Sequence, residues 1–433
     1  MPRLLQLVHG YPPAQAAGTE QYARRLADGL RARGWDVHTL AVAPAPGAAP
    51  YAVTEAPGLT RVANNAPYAG LRRGASDPAI DRVVADLAGR FRPDIVHVQH
   101  LTSLSTTFRV DAPVVWTLHD AWAWCPAGGL LLREAPGHPE KRPCDGPGAA
   151  CAACASGWAR DTPALTRALG VAGRAGRHVD PARLQALWRR LPGGLRGRLV
   201  GGAAPPLTPA HLARRDAAIR AFASSCAHII SPSRWLADAA VAQGFPAPTV
   251  IPHGVDPVTP RHPDAARGPF LFLGTLAAHK GPHLVRAAWR ASGVDVPLRV
   301  HGPPGSDAAY VAGLPNDGPL DAADVPHHLS RARALVLGSL WPENAPLVIL
   351  EARAAGCPVV APDIGGIREL VTPGVDGWLY PPGDEAALAE CLRAAALATL
   401  PVSPPPRFST HLDRVALLYQ SVGGARTRRV GGV

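Results

Sequence analysis

PFLFLGTLAAHKGPHLVRAAWRASGVDVPLRVHG, residues 269–302, holds the pattern that decides the fold. A short apolar run, FLFLG, ends on a glycine. Apolar residues at helical spacing follow over 283–291, and a second run, PLRVHG, closes the unit. An apolar run of four or five residues bounded by Gly or Pro reads as a strand buried on both faces, and a strand-helix-strand succession lays two such strands side by side in parallel. Two further runs, ALVLGSL and PVVAP, extend the same sheet.

The same alternation is present upstream. Apolar runs at 3–9, 36–42, 94–98 and 113–118 flank a helical pattern over 20–33, in which Tyr22, Leu26, Ala27 and Leu30 share a face. The chain therefore reads as α/β with two Rossmann-like halves. The N-terminal half covers 1–250 and the C-terminal half 251–405, joined near VIPHGVDP. A tail over 406–425, with Leu412, Val415, Leu418 and Tyr419 at helical spacing, is expected to pack back on the N-terminal domain. Residues 121–222 break the rhythm. They are rich in Gly, Pro and Arg, hold four cysteines and an apolar-basic stretch at 184–200, and read as an inserted subdomain or loop.

A length of 433 residues exceeds one ordinary core and suits two domains facing across a cleft. With 47% hydrophobic and 18% charged residues the chain is globular, and its 48 prolines and 44 glycines are dispersed, which excludes a collagen-like repeat. The opening MPRLLQLVHGYPP breaks at Gly10 and at Pro12 and Pro13, and no stretch approaches the roughly 18 apolar residues that span a bilayer. A cytoplasmic chain is the expectation, with thiols or metal ligands rather than disulfides for its seven cysteines. The net charge of +11 points to an anionic partner, and charge alone does not choose among phosphorylated ligands, an anionic inner membrane face and nucleic acid. Lysine occurs only at Lys141 and Lys280, so a lysine kept at a motif position in this arginine background is informative.

The densest chemistry lies in WPENAPLVILEARAAGCPVVAPDIGGIRELVTPGVDGWLYPPGD, residues 341–384. A strand empties into a loop holding Glu343. A helix is expected to begin with Pro346 in its first turn, to carry Glu351 and to close at Gly356. A helix N-terminus at the carboxyl end of a parallel strand is a ready anion site, because free N–H groups and the helix dipole both favour phosphate.

Glu343 and Glu351, eight apart between PENAP and EARAAGCPVVA, together with FLGTLAAHKG upstream, resemble the signature of the retaining GT-B glycosyltransferases of family 4, the group 1 enzymes that include glycogen synthase and many mannosyltransferases. The resemblance implies a nucleotide-sugar donor whose diphosphate is bound by Lys280, whose sugar is held by Glu343 and whose ribose hydroxyls bind Glu351. Asn344, Ala345 and Leu347 would offer main-chain donors. The family often has an arginine where this chain has Thr275, so the resemblance implies one phosphate-neutralising charge fewer at that position. Gly365, Gly366 and Glu369 would form the loop beside the donor, although Glu369 equally fits a plain helix N-terminal carboxylate. In the N-terminal half, Gly18 with Thr19 and Glu20 matches the family's glycine loop, with Ala17 in place of a second glycine. His119, in VVWTLHD, would orient the sugar or acceptor. No cofactor is implied, and the lack of an Asp-x-Asp motif in a donor loop implies that divalent metal is dispensable. The acceptor would be a glycan, a lipid-linked molecule or a small molecule.

Cys125, Cys144, Cys151 and Cys154 form C-x18-C-x6-C-x2-C, which fits a structural zinc site, disulfides or independent thiols. Two rival readings remain on sequence alone: a nucleotide-sugar epimerase or phosphorylase on the same fold, and a non-catalytic basic protein that binds membrane or nucleic acid.

Overall fold

In the computed structural model the strands fall into two main sheets. The described residues are 1–15, 17–45, 48–64, 75–134, 141–144, 147–148, 150–156, 206–256, 261–262, 264, 268–303 and 316–430. The stretch at 184–200 and part of HGPPG lie outside them.

The first sheet has eight strands: β1 (Arg3–Val8), β2 (Asp36–Ala43), β3 (Val53–Ala56), β4 (Leu59–Ala63), β5 (Ile95–Val98), β6 (Val114–Thr117), β9 (His228–Ser231) and β10 (Thr249–Val250). Their spatial order is β10-β9-β6-β5-β1-β2-β4-β3. All neighbours are parallel except the edge pair β3 and β4. A small antiparallel pair, β7 (Leu132–Glu134) and β8 (Lys141–Pro143), stands apart. The second sheet is parallel throughout, in the order β12-β11-β13-β14-β15. It comprises β11 (Phe270–Leu273), β12 (Leu298–His301), β13 (Ala334–Val336), β14 (Val359–Pro362) and β15 (Gly377–Tyr380).

Strand periodicity explains why both sheets are buried on two sides. Along β11, Phe270 and Phe272 enter one core cluster while Leu271 enters the cluster on the opposite face. Along β1, Leu5 and Leu7 divide from Leu4 in the same way. A run of apolar residues with period two on each face is what a sheet covered by helices requires.

Helix α1 (Gly18–Arg31) buries Tyr22, Leu26, Ala27 and Leu30, the face read from the sequence, together with Glu20 and Ala23. The last helix, Phe408–Val430, places Leu412, Val415, Leu418, Tyr419 and Val422 in the same cluster as Leu4, Leu26, Leu30 and Ile95. The chain thus crosses to the second sheet after β10 and returns before residue 408. The two crossings are tied where the Val255 N–H donates to the Pro406 carbonyl at 2.9 Å.

The flanks of the segment expected as an insert contribute to the first core. Ala121, Trp124 and Cys125 pack there with Ile219 and Phe222, the latter two from a regular helix over Pro209–Ser225. Among the described residues no helix is long and apolar enough to cross a membrane.

Candidate functional site

The site on the second domain is built by close backbone contact. Gly281, at φ +62°, follows the turn Ala278–Lys280, and a Cβ on it would lie 1.9 Å from the Gly338 carbonyl oxygen. Only glycine allows that approach with a left-handed φ. The Leu340 N–H then donates to the His279 carbonyl at 2.8 Å, which locks the lysine turn to the loop beyond β13. As a result Lys280 Nζ sits 2.7 Å from Glu343 Oε1, and Ser339 Oγ donates to the same oxygen at 2.6 Å. Nζ also lies 5.0 Å from the centre of the Trp341 ring. Glu343 is only 5% exposed. Burial alone would raise its pKa, but the Lys280 charge and the hydrogen bonds from Lys280 and Ser339 outweigh burial and hold the carboxyl below its usual range.

The loop bearing Glu343 is clamped from the other side. A Cβ on Gly366 would lie 1.8 Å from the Asn344 carbonyl oxygen, and the Gly366 N–H donates to the Glu343 carbonyl at 2.8 Å. Pro346 is the N-cap of the helix Leu347–Ala354, one residue earlier than the first-turn position expected, and supplies no side-chain cap. Glu351 is half-buried on this helix. Burial raises its pKa, with the Arg25 charge on α1 opposing.

On the first domain, His119 leaves the end of β6 and its Nε2 lies 3.0 Å from Gln99 Oε1. An amide oxygen only accepts, so Nε2 carries the proton and Nδ1 is bare. Burial, reinforced by neighbouring histidines, holds His119 well below its ordinary pKa and therefore neutral. Gln99 Nε2 donates in turn to Gln6 Oε1 at 3.1 Å.

The two domains meet at Asn344. Its Nδ2 donates to the carbonyls of Leu118 at 3.3 Å and His119 at 3.1 Å, and Ser233 Oγ donates to its Oδ1. Glu369 adds a second tie. It accepts from the Arg234 N–H at 2.9 Å and the Trp235 N–H at 2.7 Å, capping the helix Arg234–Ala242 of the other domain.

The structure therefore joins Lys280 to Glu343 directly and Glu343 to His119 through the adjacent Asn344. Ala345, Leu347 and Glu351 continue the same loop and helix. Gly18 opens α1 as an exposed residue, and a Cβ on it would meet nothing within 4 Å. The side chains of Ser339, Gln99 and Ser233 hold expected site residues in place and were not foreseen. A polar residue inside an apolar strand end, as in VHVQH, was the available signal for Gln99.

The expected zinc set is not brought together. Cys125, Cys144, Cys151 and Cys154 form no disulfide among the described residues. Cys151 Sγ accepts from the Gly148 N–H at 3.2 Å, and Cys154 Sγ lies 3.8 Å from the Leu132 carbonyl. Among the described residues, no three His, Cys, Asp or Glu side chains are arranged to hold a metal.

Comparison with known proteins agrees with this architecture. Residues 268–396 match the family model described as glycosyl transferases group 1, and residues 16–160 match that of glycosyltransferase family 4. Glycogen synthase of Mycobacterium tuberculosis is 33% identical over 163 residues, 34% of this chain and 39% of that protein. The first curated relatives are matched over two fifths of their length or less. Sucrose-phosphate synthase from Thermosynechococcus elongatus superposes with a TM-score of 0.60 at 16% identity, covering 98% of this chain and 100% of that one. Anabaena HepE in complex with UDP superposes with a TM-score of 0.55 at 16% identity, covering all of both chains. With both family models matched in order along two Rossmann-like domains of GT-B type, this chain belongs to the group 1, family 4 glycosyltransferases.

Proposed function

We propose that this protein transfers a sugar from a nucleoside-diphosphate sugar to an acceptor hydroxyl with retention at the anomeric carbon and without a divalent metal. The observation that carries the reading is the Lys280, Ser339 and Glu343 constellation: a cation and a hydroxyl converge on one buried carboxylate beside a helix whose first turn has no side-chain cap. HepE, a structural neighbour, has been solved in complex with UDP and with UDP-glucose, which supports a donor of this class.

In this reading Lys280 and the N–H groups of Asn344, Ala345 and Leu347 receive the diphosphate and the sugar oxygens. Glu343 accepts from the sugar hydroxyls and Glu351 from the ribose diol. His119 orients the sugar, and Gly18 lets the α1 N-terminus approach the phosphate. The anomeric C–O bond to the diphosphate breaks and a C–O bond to the acceptor forms on the same face, the acceptor's proton passing to the departing phosphate oxygen. Catalysis comes from positioning and from neutralising the leaving group. The +11 charge supports a cytoplasmic position against an anionic membrane face, which sedimentation with anionic vesicles checks.

Thermal stabilisation by a panel of nucleotide-sugars identifies the donor. Product analysis then separates the classes: a new glycosidic bond supports transfer, whereas free sugar phosphate or an epimerised donor overturns it.

A further inference from the structure

We infer that His9, Glu20, His100 and Asp120 form an acceptor subsite that binds the hydroxyls of an uncharged or amine-bearing carbohydrate and turns away a phosphorylated one. The inference rests on the transferase reading above and specifies its second substrate.

The four residues come from neighbouring elements. His9 leaves β1, His100 follows β5, Asp120 follows β6, and Glu20 stands in the first turn of α1. Strands β6, β5 and β1 are adjacent, so all four gather at the carboxyl edge of the sheet, beside His119. The His9 and His100 rings are 4.4 Å apart between centroids. Glu20 Oε1 is 3.3 Å from His9 Nε2, and each Asp120 carboxylate oxygen is 3.3 Å from His100 Nε2.

Two atoms of this group have nothing to bond. Glu20 is 5% exposed, yet its Oε2 is buried without a hydrogen-bond partner among the described residues, and the same holds for His9 Nδ1. A buried polar atom left unpaired costs free energy that a bound partner recovers. Both atoms are acceptors. Burial lowers the pKa of His9 to about 3, so the ring is neutral; Nε2 donates its proton to Glu20 and Nδ1 is bare. A ligand that satisfies them must bring N–H or O–H donors. Phosphate has only acceptor oxygens when ionised, and it would face the carboxylates of Glu20 and Asp120. Arg215 feels the Asp120 charge, but it is fully buried, stacks 4.4 Å from the centre of the Trp122 ring and donates to the Trp122 and Ala123 carbonyls.

Saturation-transfer NMR on the UDP-loaded protein, with methyl α-D-glucoside, glucosamine and myo-inositol set against glucose 6-phosphate and inositol 1-phosphate, tests this. The unphosphorylated sugars are expected to bind about tenfold tighter or better. Equal or tighter binding of the phosphates, or no binding of any unphosphorylated member, overturns the inference. Glu20→Gln replaces one acceptor oxygen by a donor and should weaken glucosamine by about tenfold while leaving the far-ultraviolet circular dichroism unchanged. Asp120→Asn serves as the second variant. Unchanged glucosamine affinity in both overturns the assignment. Failure of UDP, GDP and ADP alike to bind the unmodified protein counts instead against the transferase reading.

Discussion

Glu343 and Glu20 are each 5% exposed, at the carboxyl ends of the two sheets, and their surroundings are opposite. Glu343 has Lys280 at 2.7 Å and Ser339 at 2.6 Å, and its pKa lies below the usual range although burial pushes the other way. Glu20 has His9 at 3.3 Å and one oxygen without a hydrogen-bond partner among the described residues, and burial outweighs the backbone N–H groups of Glu20 and Ala17 to raise its pKa. Equal burial with opposite shifts teaches that partners, not depth, set the direction in which a buried acid's pKa moves. One cleft wall is completed by the protein itself, and the other keeps acceptors for a ligand.

The largest expected effect tests the histidines of the first domain and its returning helix. Burial lowers His9 and His97 to about 3 and His411 to about 4. An unfolded chain takes up protons near pH 6.5 that the folded one refuses, so stability falls as pH drops from about 6.5 towards 4. The slope is up to about 1.4 kcal/mol per pH unit for each histidine, on the order of 8 kcal/mol for the three by pH 4. Thermal melts from pH 7 to 4 check it, and a flat midpoint across that window breaks the comparison. The Glu343 pair behaves otherwise. Its depressed carboxyl keeps contributing until pH falls through its folded-state value, below the ordinary carboxylate range.

Next in size, Lys280→Ala should lower kcat by about 10²- to 10³-fold and, by leaving a buried carboxylate unpaired, cost about 3 kcal/mol of stability. Adding Glu343→Gln should restore the stability without the activity. Recovery of both would show that the pair is structural only. Gly281→Ala should cost about 2–3 kcal/mol in denaturant melts, because its Cβ would press on the Gly338 carbonyl at 1.9 Å with φ at +62°. A neutral result would mean that the lysine turn is not held by that contact. The smallest change is Glu369→Gln, which weakens two hydrogen bonds between domains by about 1 kcal/mol. Small-angle scattering should then report a wider average separation of the domains.

Much of this arrangement was legible in the residues. The apolar runs with helices between them placed β1, β2, β5, β6 and β11 to β14, and Leu412, Val415, Leu418 and Tyr419 carried the face of the last helix. Edge strand β3 was not legible, since all its residues are exposed and give no alternation. Lys280 and Glu343 stood out because motif spacing is local. The partners of Glu369 and Asn344 lie more than a hundred residues away, where no periodicity reaches. Glu20 was read only as part of the glycine-loop pattern, because its meeting with His9, His100 and Asp120 depends on strand order rather than on sequence spacing.

The returning helix has a further consequence for how the chain is made. Because Leu412, Val415 and Tyr419 complete the cluster around Leu4, Leu26 and Ile95, the first sheet cannot close its interior until residues 412–419, well beyond the second sheet, have left the ribosome. The second sheet, whose strands lie within 270–380, has all its residues much earlier. Emergence order and completion order are therefore reversed, and the early half is the one exposed to chaperones and misassembly during synthesis.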